Sequence, residues 1–106
     1  MIRATLRMRV RPGAEDAFER AWDKVAEATA RSPHNLRQAL LREPGDSVYV
    51  ITSDWATLAA FRDFEQSPEQ DRLTARLREL RESAEMTVNQ IVQHVDARTA
   101  GEENTK

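Results

Sequence analysis

The hydrophobic period of this chain switches from two residues to three or four, back to two twice, then to three or four and to two again. That order restricts the fold more than any single motif. Ile2, Ala4, Leu6, Met8 and Val10 alternate with Arg3, Thr5, Arg7 and Arg9, which specifies a strand. Pro12-Gly13 ends it. Between Ala14 and about Arg31, Phe18, Ala21, Trp22, Val25, Ala28 and Thr29 make one helical stripe. Glu15 and Asp16 lie in its first turn, where the helix dipole favours anions. Ser32-Pro33-His34 stops it.

Leu36–Arg42 and Val48–Ser53 read as two strands joined by the turn Glu43-Pro44-Gly45-Asp46. In the first, Leu36 and Leu40 share a face, with Ala39 and Leu41 offset. Asp54 is expected to cap a short helix that turns Leu58, Phe61 and Phe64 inward. Ser67-Pro68-Glu69-Gln70 opens another helix, with Leu73, Leu77 and Leu80 as its buried stripe. Met86–Val95 is the expected last strand. The order β-α-β-β-α(α)-β predicts an α+β fold: a ferredoxin-like four-stranded antiparallel sheet with its helices on one face. Residues 1–96 would form the domain. The tail 97–106 lacks large apolar residues and is expected to be disordered.

The opposite sheet face needs cover. Val48 and Val50 lie on one side of their strand, Tyr49 and Ile51 on the other; a sheet with one wet face alternates more cleanly. A second copy is the simplest cover, so a homodimer is expected. Arg3, Arg7 and Arg9 lie on that side and require carboxylates or open water there.

Composition excludes several chemistries. There is no cysteine, so there is no disulfide framework, thiolate nucleophile or thiolate zinc site. His34 and His94 are the two histidines, which leaves little for a metal. The net charge of −2 carries no nucleic-acid footprint. No apolar run approaches membrane-spanning length and the N-terminus has no h-region. No membrane partner and a cytoplasmic location are therefore expected.

Ser47-Val48-Tyr49-Val50-Ile51-Thr52-Ser53-Asp54-Trp55 runs into Ala56-Thr57-Leu58-Ala59-Ala60-Phe61, and Ser67-Pro68-Glu69 follows. With Pro12-Gly13-Ala14-Glu15 and Phe18 after the first strand, this pattern resembles the antibiotic biosynthesis monooxygenase family, over roughly residues 2–95. The resemblance implies a dimeric α+β barrel. It also implies oxidation of an aromatic polyketide, or a similar phenol, by molecular oxygen as co-substrate without metal, flavin or haem. A site of that kind needs an apolar, water-poor cavity, an aromatic wall and a few polar groups to hold an anion.

By resemblance, Trp55 stands at the family's pocket tryptophan and Phe61 at the aromatic after it. Oxidising members commonly carry asparagines where this chain has Leu6 and Ile51. Haem-degrading relatives use an asparagine and a histidine ligand where Leu6 and Thr74 stand, which argues against haem chemistry here. Trp55 and Arg72 are the catalytic candidates. Leu6, Tyr49, Ile51, Thr52, Phe61 and Arg76 are the substrate-binding candidates, Tyr49 and Thr52 as replacements for the missing amides.

Plainer readings stand beside these. Trp55, Phe61 and Phe64 also suit an aromatic core, and Trp22 suits packing on the sheet. Arg72 and Arg76 also suit a solvated face, paired with Glu69 and Glu79 at three-residue spacing. His34 and His94 could each act as a base, or be ordinary surface histidines. Three readings of the whole follow: a cofactor-independent monooxygenase, a non-oxidative polyketide cyclase, and an aromatic-ligand-binding or structural dimer.

Overall fold

Alternation along the first strand sends one set of side chains to the helices and the other to the far side of the sheet. The computed structural model describes residues 1–97. Its order is β1 (Ile2–Val10), α1 (Glu15–Thr29), β2 (Asn35–Arg42), β3 (Val48–Trp55), α2 (Leu58–Glu65), α3 (Pro68–Leu80) and β4 (Arg81–Gln90). The strands form one antiparallel sheet in the order β2-β3-β1-β4. This is the expected ferredoxin-like α+β fold. The tail expected to be disordered lies, from residue 98 on, outside the described residues.

The helix-facing core divides into two clusters. Met8, Val10, Phe18, Tyr49, Leu77 and Leu80 form one; Ile2, Ala4, Trp55 and Phe61 form the other. Along β1 the buried stripe is interrupted at one place only. Ile2, Ala4, Met8 and Val10 are buried, whereas Leu6 is half-buried. Its cross-strand neighbour Ile51 is half-buried too.

Three expected elements differ. The last strand is Arg81–Gln90, not Met86–Val95. β4 has only β1 to pair with, and β1 runs out where Ile2 meets Gln90. One further bond, from Ile91 N–H to the Met1 carbonyl (2.9 Å), ends the contact, and Val92 and Val95 stay exposed. At the other end α3 passes into β4 without a loop. The expected shared face of Leu36 and Leu40 is broken by a bulge between Asn35 and Arg37, which leaves Leu36 exposed while Leu40 packs on the core. Leu58 is also exposed, so α2 turns only Phe61 and Phe64 inward.

Asp54 is not a helix cap. It ends inside β3, and Thr57 caps α2 by accepting the Ala60 N–H at 3.1 Å. Asp54 is 1% exposed. Its carboxylate accepts two bonds from Arg3 (2.7 and 2.9 Å) and one from Arg37 (2.6 Å). The arginines that lacked carboxylates in the sequence find them in the same chain: Arg7 pairs with Glu43 and Arg9 with Asp46.

The Arg3 hydrogen bond holds the Asp54 carboxyl below the ordinary carboxylate range against the opposing effect of burial, with Arg37 adding to it. A depressed folded pKa stabilises the fold above the unfolded value and is lost as pH falls through the folded one. Asp54→Asn should therefore lose about 2–3 kcal/mol at pH 7, since both arginines keep access to water. Urea denaturation should find that gap shrinking below about pH 4. A gap constant down to pH 2 would contradict this account.

Candidate functional site

The interruption at Leu6 and Ile51 is the floor of a cavity of about 240 Å³ between the two core clusters. Ala4 and Met86 continue the floor. Trp22, Val25 and Thr29 of α1 form one wall; Phe61 and Phe64 of α2 form another; Gln70, Thr74, Leu77 and Arg78 of α3 close the side. The volume lies just below the roughly 300–1,000 Å³ usual for small-molecule pockets, which suits a small flat ligand.

Trp55 ends β3 and is 1% exposed. Its ring centroid lies 4.9 Å from that of Phe64 and 5.9 Å from that of Phe61, both tilted. Such pairs hold the indole firmly. Its Nε1–H donates to the Ser53 hydroxyl at 3.0 Å. The indole is thus almost wholly packed, meets the cavity at its margin, and has its one side-chain donor engaged.

Of the residues singled out from sequence, Leu6, Ile51, Trp55 and Phe61 come together around this cavity. Tyr49, Thr52, Arg72 and Arg76 are not among its lining residues. Tyr49 shares the face but lies at the other end of β3. It packs on Phe18 with centroids 5.0 Å apart and donates its hydroxyl to Glu19 at 2.6 Å. Thr52 has the parity of Val50 and Asp54, opposite to Ile51 and Trp55, so it takes the far sheet face. Arg72 is exposed, and Arg76 pairs with Glu79 at 3.1 Å. His34 and His94 are exposed away from the cavity. Trp22 does both things its sequence position allowed: it packs on the larger core cluster and lines the hollow.

The polar lining was largely missed from sequence. Ser53, Gln38, Gln70, Thr74, Glu65, Arg78 and Arg81 supply it. Gln38 donates from Nε2 to the Ala26 carbonyl at 2.9 Å, and Arg78 donates to Thr74 at 2.6 Å. The strand parity that put Ile51 and Trp55 on one face also puts Ser53 there, and that signal was readable. Nothing in a polar helix face singles out Arg78 over Arg72 or Arg76. Among the described residues no group of three or more His, Asp or Glu stands close enough together to hold a metal ion, and no helix is long and apolar enough to cross a membrane.

The antibiotic biosynthesis monooxygenase family model matches residues 1–76. The chain belongs to that family. The family's fold covers nearly all of it. A cofactor-independent oxygenase from Streptomyces nogalater, SnoaB, is similar at 29% identity over 89% of this chain and 95% of its own, with a TM-score of 0.80. A family protein from Bordetella bronchiseptica matches at 24% identity over 87% and 97% of the two chains, TM-score 0.77. A Mycobacterium tuberculosis protein matches at 18% identity over 90% and 98%, TM-score 0.78. The last two, at their low identity, bear on the fold alone. No curated protein matches the sequence.

Tyr49 cannot serve as an anionic or basic group near neutrality. Burial, then the bond to Glu19 and that carboxylate's charge, pushes its phenol up to about 12. Tyr49 is the chain's one tyrosine, so tyrosinate absorbance reports on it alone. In the folded protein that absorbance should rise with a midpoint near pH 12, and in urea near 10. The raised value stabilises the fold below pH 10, and that contribution fades as pH climbs toward 12. A folded-state midpoint near 10 would contradict this picture.

Proposed function

We propose that this family member is a cofactor-independent monooxygenase-like enzyme. Its substrate would be a small aromatic polyketide, or similar phenol, of secondary metabolism. The observation that carries the reading is the hollow between Trp55, Phe61, Phe64 and Trp22, floored by Leu6 and Ile51. The aromatic-walled part of that space can orient a flat ring, and a bound ring would displace water from it. The net reaction replaces two hydrogens of an activated methylene with one oxygen atom of O2, and the second oxygen leaves as water. The substrate anion supplies the electrons, so no protein-bound redox group takes part. Similarity to an oxygenase described as cofactor-independent supports the reading.

A second reading keeps the pocket and omits the oxidation. Leu6 and Ile51 stand where oxidising members commonly carry amides, and the indole N–H is already engaged by Ser53. A cyclase, or a dimer that only binds an aromatic ligand, would need no more than the apolar walls. We also place two copies back to back across the far sheet face, where Val50, Ala39 and half-exposed Leu41 sit beside the paired arginines. A cytoplasmic location suits this role.

Incubation with an anthrone-like substrate should consume oxygen and yield a quinone without added cofactor. Trp55→Phe should lower the rate more than it lowers stability. Trp55→Ala should cost about 3–5 kcal/mol, so rates must be compared at equal folded fraction. Equal oxygen uptake in buffer and with protein would remove the first reading. A changed ring-closure product without oxygen uptake would favour the second. Sedimentation should give twice the monomer mass.

A further inference from the structure

The strand that leaves α3 does not enter the sheet in simple register. Arg9 faces Ser83, and Val10, one residue further, faces Arg81. One residue is therefore extra on β4 at Glu82. In an unbroken ladder Glu82 would sit opposite Val10, whose side is the helix face. The bulge puts Arg81 there instead, and bulges re-aim side chains in this way. A cation, where regular pairing would have set a carboxylate, lines the cavity.

Arg81 is half-buried and, among the described residues, has no ion pair and no hydrogen bond from its guanidinium. Arg78 lies three residues earlier on the same side and also lines the cavity. Like charges at that spacing repel. Arg78 is held by Thr74 and by Asp71, whose carboxylate is 3.4 Å away and mostly in water. Arg81 has no such relief: burial, then the charge on Arg78, pushes its guanidinium down from the ordinary value. Glu65 is the one carboxylate of the lining, and it is paired with Arg62 at 3.1 Å. The cavity therefore has apolar walls at one end and an uncompensated arginine at the other.

We infer that Arg81 is the anchor of an anion subsite in this cavity, and that the ligand is a planar aromatic carrying a carboxylate. A guanidinium fork takes a carboxylate with two parallel bonds, which fixes the ring's orientation within the cavity as well as adding affinity. This rests on the reading of the cavity as a ligand pocket, and it does not depend on whether oxidation follows.

Two probes with the same rings test it: 1-naphthol and 1-hydroxy-2-naphthoate, titrated calorimetrically at pH 7 into the full chain. The carboxylate should bind about tenfold or more tightly than the neutral phenol. Arg81→Gln should abolish that preference while leaving 1-naphthol affinity unchanged. Arg81→Lys should keep part of it, since a point charge replaces the fork. Arg20→Gln, an exposed charge change on α1 outside the cavity, should leave both affinities as they were. Unchanged circular dichroism and melting would show that the variants fold. Equal binding of both probes by the unaltered protein would overturn the subsite and leave the pocket. A preference that survives Arg81→Gln would overturn the role of Arg81, as would a variant that changes only the oligomeric state. If neither probe binds, the pocket reading falls and this inference with it.

Discussion

The core of this domain is hollow at one place, and the rest of the architecture is arranged around that place. Leu6 of β1 and Ile51 of β3 are cross-strand neighbours in the middle of the sheet, where burial should be deepest, yet both stay half-buried. A core closes over such positions unless the elements above are held apart. Here the Met8–Phe18–Tyr49 cluster holds α1 and α3 at one end. The Trp55–Phe61 cluster, joined by Phe64, holds α2 at the other. The two aromatic groups act as spacers. The gap lies between them, and strand parity accounts for its apolar floor of Ala4, Leu6, Ile51 and Met86.

The far face of the sheet is organised by a different interaction. Asp54 is buried on the side opposite its neighbour Trp55, and two arginines from flanking strands converge on it. That ties β1, β2 and β3 together directly beneath the indole. Removing a carboxylate from water is costly unless its oxygens are satisfied, and here three charge-assisted bonds satisfy them. The end of β3 that places Trp55 is thus fixed from both faces: by aromatic packing above and by a charge triad below. The other arginines of β1 find partners in the β2–β3 turn, where Glu43 and Asp46 flank Pro44 and Gly45. Gly45 takes φ +74, which glycine allows without strain.

Much of this was legible in the chain. The switching period specified the element order, and the family resemblance picked out Leu6, Ile51, Trp55 and Phe61 together. Errors gathered where one local signal competes with a distant partner. Asp54 looks like a cap because caps are local, but its ligands are Arg3 and Arg37, far along the chain. The apolar residues Ile91, Val92 and Val95 look like strand, but a strand lasts only as long as its neighbour, and β1 ends at Ile2. Arg72 and Arg76 were singled out and Arg78 was not, because a helix face rich in arginine carries no mark of which turn meets the cavity.

The amino-acid sequence alone determined which residues alternate, where helices begin and break, and that no thiol or histidine cluster could supply the chemistry. These are properties of neighbours along the chain, set by backbone sterics and side-chain period. Tertiary structure decided that the core stays open above Leu6 and Ile51, that Asp54 sits beneath two arginines, and that a single extra residue in β4 brings Arg81 to the cavity. Each of those depends on register and distance between segments remote in sequence, and neither quantity exists until the segments have packed.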